Sequence, residues 1–279
     1  MTRPCMASRA VAKKALEFRQ ASGMKFEDPC DIYETIARQG IDLQFVDIPS
    51  LEGMYLEEAE AERICVCSHR PVGRQHFTAA HELGHHVLGH GTRLDAVIDE
   101  LGEGAELTPE EVAADAFARY VLMPPRAVQV AFRERGLDLT HLEPLGVYRA
   151  ACWLGVGYIT LLNQMLYSLG LLTPPDHKRL AKVSPKSIRA KLAGGVSDHD
   201  VWAVDHLWVD RRLHTQLDDL IIGLSPRLST QVLRELDGGK YIANAVGESV
   251  FPLASGGSLT VSVSRAAYVG FYEYRYLRE

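Results

Sequence analysis

The stretch that most limits what this chain can become runs from His69 to His90. Six of the eleven histidines (His69, His76, His81, His85, His86 and His90) fall within these 22 residues. Within it, Ala80, Leu83, Gly84, Val87 and Leu88 recur at i, i+3, i+4, i+7 and i+8, the period of a helix that buries one face. Gly84 costs such a helix roughly 1 kcal/mol against alanine, which is tolerable where something packs very close. Gly89 and Gly91 end the element. Clustered imidazoles with carboxylates nearby point to a metal site.

His81 and His85 lie four apart, so both rings project from one side of the helix and reach a single ion. Glu82 points in a neighbouring direction, where a carboxylate takes a proton from activated water instead of ligating the metal. A bound zinc lowers the pKa of water from about 15.7 to roughly 7, and that combination attacks an amide carbonyl. A third ligand is required. Thr108-Pro109-Glu110-Glu111 opens the next helix, with threonine as N-cap, proline at the first helical position and glutamate three residues after the cap. This helix stops at Pro124-Pro125. Glu111 is the candidate ligand, brought over the metal if the two helices pair antiparallel. Its place in the capping box is a competing explanation, and Glu110 and Asp115 are alternative ligands, Asp115 being i+4 on the same face.

His86 sits about 100° round the helix from His85 and reads as a surface or outer contact. His90 reads as an outer or substrate contact, and His69 and His76 as solvated loop residues. Cys65 and Cys67 share a strand face and read as small buried side chains. With no Gly-rich phosphate loop and no G-x-S-x-G elbow, nucleotide-binding and serine-hydrolase classes lose support.

At 279 residues, 47% hydrophobic and 24% charged, the chain is expected to be soluble and to hold two or three domains. No apolar run approaches the ~20 residues of a membrane span. The first twenty residues lack the apolar core of a secretory signal. Cys5, Cys30, Cys65, Cys67 and Cys152 are odd in number and scattered, so a cytoplasmic protein is expected. A net charge of −6 argues against a chain devoted to nucleic acid.

Val11, Ala15 and Phe18 have helical spacing, Ile32 to Ala37 forms a second short helix, and Ile41, Leu43 and Phe45 alternate as a strand. Arg63 to Ser68 is a second strand, and Asp95 to Glu106 an acidic loop. Leu142 to Leu172 reads as two helices broken near Leu154-Gly155-Val156-Gly157, which suits a helix-turn-helix. Its second helix, Tyr158 to Leu169, has no charged residue and only Asn163 and Gln164 for base edges, so direct DNA binding is disfavoured. Residues 176–192 are basic and read as one linking helix ending at Gly194-Gly195. Beyond about 200 the pattern is β: Leu259, Val261 and Val263 alternate, as do Tyr272, Tyr274 and Tyr276.

Arg74-Gln75-His76-Phe77-Thr78-Ala79-Ala80-His81-Glu82-Leu83-Gly84-His85 resembles the R-x-R-F-T-x-A-H-E-L-G-H signature of the ImmA/IrrE metallopeptidases, with His76 replacing the second arginine. Glu111 through Phe117-Ala118 to Leu122-Met123-Pro124 resembles the family's second block, and counting back from Pro124 places its ligand glutamate at Glu111. Ala151 to Leu172 is similar to the family's helix-turn-helix segment, with Met165 in place of an arginine. The resemblance implies a multi-domain α+β protein. Residues 1–125 would be a zinc-peptidase-like α+β domain, 126–195 a helix-turn-helix domain with its linker, and 196–279 an α+β GAF-like domain. It implies Zn2+, or Mn2+ or another divalent ion, on His81, His85 and Glu111, with Glu82 as catalytic base. The implied activity is site-specific cleavage of a DdrO-like helix-turn-helix repressor, inducing a radiation or DNA-damage response. A small-molecule signal at the GAF-like domain is implied too, with Trp202, Trp208 and Tyr272 as candidate pocket residues. The alternative is a DNA- or protein-binding transcription regulator with a structural metal.

Overall fold

The computed structural model describes residues 6–57, 61–96, 108–195, 198–225 and 230–278. Cys5 and residues 97–106 of the expected acidic loop lie outside them, while Asp95, expected to open that loop, lies in the strand Arg93–Ala96. The fold is mixed α+β in two compact units, Met1–Gln129 with Ala267–Tyr272, and Val130–Ala266 with Glu273–Glu279.

The first unit holds α1 (Met6–Ala21), α2 (Ile32–Arg38), β1 (Asp42–Val46), β2 (Leu51–Glu57), β3 (Glu62–Cys67), α3 (Val72–Leu88), β4 (Arg93–Ala96) and α4 (Pro109–Leu122). Helix α5 (Pro125–Arg133) leads into the second unit. There follow α6 (Pro144–Leu154), α7 (Tyr158–Asn163) with a π-helical continuation over Gln164–Ser168, α8 (Pro174–Ala181) and α9 (Pro185–Ala193). Strands β5 (Val201–Ala203), β6 (Arg211–Gln216), β7 (Leu220–Ile222), β8 (Leu233–Asp237), β9 (Lys240–Ala243), β10 (Gly247–Pro252) and β11 (Ser258–Ser264) complete that unit, and β12 (Gly270–Phe271) returns to the first.

The first unit's sheet has the order β12-β1-β3-β2-β4, with β1 and β3 parallel and the other pairs antiparallel. Phe45, Ile64 and Val66 are fully buried in it. Helix α3 packs on β2 and β3 and runs beside α4, which also packs on α1. The buried guanidinium of Arg19 fixes that last contact. It donates to the carbonyl of Val121 at 2.5 Å, and to those of Lys25 and Asp28 at 2.5 and 2.7 Å. The second unit has a four-stranded sheet, β5-β7-β9-β8, and a three-stranded one, β10-β11-β6.

Two expectations change. The single basic helix over 176–192 is two helices, because Ser184-Pro185 restarts the chain: Ser184 accepts from the Ser187 N–H at 3.2 Å, with proline at the first helical position. The expected strand through Tyr272, Tyr274 and Tyr276 is a 3-10 turn over Tyr272–Tyr274. Its alternation serves different cores. Tyr272 packs on Tyr33 in the first unit (5.6 Å), while Tyr276 stacks on His214 in the second (5.8 Å). Among the described residues no single helix is long and apolar enough to cross a membrane; α6 and the α7 segment meet at a 100° bend.

Candidate metal centre

Helix α3 buries more than its apolar stripe. Glu82 and His85 are both 0% exposed, beside Ala80, Leu83 and Gly84. Gly84 sits where α4 crosses: a Cβ there would stand 3.1 Å from the Cα and carbonyl oxygen of Ala114 and 3.2 Å from the Phe117 ring. The close packing read from Gly84 in the sequence is therefore contact with a helix backbone, and it carries the first turn of α4 toward the histidines.

Thr108 caps α4, accepting from the Glu111 N–H at 3.2 Å. The cap uses the Glu111 backbone and leaves its side chain to turn inward. Glu111 Oε2 lies 3.1 Å from His81 Nε2, and Oε1 lies 3.5 Å from His85 Nε2. The two Nε2 atoms are 3.1 Å apart. Both alternative ligands are engaged elsewhere, Glu110 with Arg93 at 2.8 Å and Asp115 with Arg119 at 2.5 Å.

These spacings test whether the cluster fits a cation. In a tetrahedral site with bonds of about 2.0–2.1 Å, neighbouring ligand atoms stand about 3.3 Å apart. Donor atoms of His81, His85 and Glu111 all lie within 4.8 Å of one another, and the closest contacts bracket that separation. Two imidazoles and a carboxylate suit zinc and several other divalent ions. The donor set fits.

Glu82 is not among the three clustered donors. Its carboxylate faces β2 at Gly53, where a Cβ would stand 2.2 Å from Glu82 Oε1 and 2.5 Å from Thr78 Cγ2. Only glycine leaves that space. The sequence reading missed Gly53, although a glycine inside the run Leu51 to Glu57 is itself a sign of close approach. Cys65, on β3, has its thiol pushed up to about 11 by burial, with the Glu82 charge adding to the shift.

The remaining histidines separate clearly. His90 Nδ1 lies 3.0 Å from His85 Nδ1, and burial lowers the pKa of the His90 imidazole. His86 Nδ1 lies 3.0 Å from the Tyr55 hydroxyl and 3.2 Å from Glu62. Burial and Glu62 raise the Tyr55 phenol. His76, expected in a loop, is buried on α3 edge-on to Tyr33 at 4.6 Å; the helix starts at Val72, earlier than the apolar period alone shows. His69 pairs with Asp47 at the surface. The candidate pocket aromatics are core residues or lie elsewhere: Trp208 is buried, Trp202 donates its indole N–H to Asp219 at 3.2 Å, and Tyr272 belongs to the first unit.

No match is found among curated proteins. Among solved structures, a Mycobacterium tuberculosis transcriptional regulator is similar at 16% identity with a TM-score of 0.37, over 56% of this chain. The match spans 46% of that regulator's own length. The family model described as the IrrE N-terminal-like domain, Peptidase_M78, matches residues 36–163, in agreement with the resemblance carried by the two motifs. Residues 36–163 are thus similar to the IrrE N-terminal-like domain of the Peptidase_M78 family, and His81, Glu82, His85 and Glu111 all lie inside the match.

Proposed function

We propose that this protein is a metal-dependent, site-specific endopeptidase of the cytoplasm whose substrate is a DdrO-like helix-turn-helix repressor, cut to release its operator in a radiation or DNA-damage response. The observation that carries the peptidase reading is the convergence of His81, His85 and Glu111 from two helices at ligand-to-ligand spacing. The repressor as substrate and the stress response rest on the family resemblance.

His81 Nε2, His85 Nε2 and the Glu111 carboxylate would hold the ion, Zn2+ or another divalent metal. When bound, such an ion supplies Lewis acidity, polarising a carbonyl and making water acidic near neutral pH. Glu82 follows His81 directly on α3 and takes the role of general base, accepting the proton of the attacking water and passing it to the leaving amine. Gly53, having no side chain, lets β2 lie directly against the Glu82 carboxylate.

The bend between α6 and α7 supports a helix-turn-helix reading for that segment. We read it as a packing or partner-recognition module. The basic residues Arg179, Lys186 and Arg189 are paired with Asp176, Asp198 and Asp200, which leaves less positive charge for phosphates. Residues 196–279 are read as a GAF-like domain taking a small-molecule signal, on the resemblance alone.

The test mixes metal-loaded protein with a DdrO-like repressor and maps any cut by mass. Wild type is expected to give a single cut. Glu82→Gln is expected to keep its metal and lose cleavage by at least ~100-fold. An unchanged rate in that variant overturns the assignment of the base.

A further inference from the structure

The geometry points to His90 as a positioning residue that sets the tautomer of His85; the inference rests on the metal-centre reading above. It begins with the end of α3. Gly89 adopts φ 70°, its N–H donates to the His86 carbonyl at 3.1 Å, and the His90 N–H donates to the His85 carbonyl at 3.0 Å. This is a Schellman closure, in which the residue after the glycine folds back onto the residue five positions earlier. That contact is usually apolar. Here it joins two imidazoles, with ring centroids 5.0 Å apart and Nδ1 atoms 3.0 Å apart.

Two ring nitrogens at that distance share one proton, and which ring owns it decides what His85 offers on its other side. If His90 donated, neutral His85 would carry its proton on Nε2, aimed at His81 and Glu111, where it would block a cation. If His85 donates, Nε2 is a bare lone pair facing His81 Nε2 and the Glu111 carboxylate. A metal accepts only the second arrangement, and a ligating histidine characteristically donates its other N–H to an outer acceptor. The His85 side chain is 0% exposed, so bulk water does not replace His90 in that role. Gly89 and His90 therefore belong to the site through His85, without touching the ion.

The test compares acceptor with shape at position 90. His90→Phe and His90→Leu keep bulk near Nδ1 without an acceptor, whereas His90→Asn and His90→Asp place an oxygen there without a ring. Zinc affinity is measured by competition with a chromophoric chelator, and thermal unfolding of the metal-free proteins identifies any variant that fails to fold. Phe and Leu are expected to weaken zinc binding by about 10–100-fold. Asn should stay close to wild type, and Asp should match or exceed it. Phe or Leu binding as tightly as wild type overturns the role of His90 and leaves the metal centre standing, as does equal weakening in all four variants. Failure of the wild type itself to take up zinc or manganese overturns both.

Discussion

Helix pairs α3–α4 and α6–α7 are built differently where they meet the core. Around α6 and α7 the buried residues are largely apolar, with Val147, Ala150, Leu154, Leu161, Leu162 and Met165 fully enclosed. The α3–α4 pair instead encloses Glu82 and His85 and turns His81 and Glu111 into the same space. Each buried polar group costs roughly 1–3 kcal/mol unless it is satisfied, so a seam holding several is kept for what those groups do together. The two pairs teach that helix packing alone does not mark a site. Polar donors driven inward by a close approach do.

Three tests, one of them a matched pair of variants, sharpen or break that contrast. The largest effect is expected from Gly53→Ala, which drives a methyl to 2.2 Å from Glu82 Oε1 and 2.5 Å from Thr78. Overpacking of this kind costs about 1–3 kcal/mol, read as a lower urea midpoint, and cleavage should fall with it. Unchanged stability would mean that β2 does not confine Glu82. Next is a matched pair. Gly84→Ala meets the Ala114 backbone at 3.1 Å, which cannot rotate away, so a net loss of about 1 kcal/mol and weaker metal binding are expected despite better helix propensity. Gly146→Ala on α6 meets the Leu137 side-chain methyls at 3.0 and 3.4 Å, which can move, and its stability should be unchanged or raised by up to ~1 kcal/mol. Equal responses of the two variants in denaturant would break the comparison.

The remaining effect depends on pH and concerns a carboxylate that the second unit does bury. Asp219 accepts from the N–H groups of Asp200 and Gln216 (both 3.0 Å), from Thr215 Oγ1 (2.8 Å) and from Trp202 Nε1 (3.2 Å). Burial, reinforced by the Asp200 charge, raises its pKa to about 6. The folded value lies above the unfolded one of about 3.9, so the stability this group contributes is fully present below pH ~4 and lost as pH rises through 6. The melting temperature should decline over that window, and Asp219→Asn should flatten the slope. An identical slope in the variant would remove Asp219 as its cause.

Much of the site could be read from the sequence because it is local. The period around Leu83 gives α3, Thr108-Pro109 gives the start of α4, and the spacing of His81 and His85 follows from helix geometry. Spacing did not separate Glu111 from Glu110 or Asp115. That choice is made by Arg93 and Arg119, which hold the competitors, and by the approach at Gly84. Strands β2 and β4 went unread because β2 carries Gly53 in its middle and β4 has only four residues. The role of Gly53 depends on a side chain 29 positions away, Glu82, and no local pattern encodes it. The sequence reads His90 as an outer or substrate contact but does not say which side chain it meets; its orientation comes from the left-handed turn at Gly89.

The strand β12 has a consequence for anyone shortening this protein. Gly270 and Phe271 pair with Phe45 and Gln44, so the last stretch of the chain closes the outer flank of a sheet begun by its first fifty residues. Removing the C-terminal third to isolate the peptidase-like half would bare the N–H and C=O row of β1, a ready template for another chain. Clumping and lost activity in such a fragment would reflect a missing seam, and would not by themselves reveal a lost sensor.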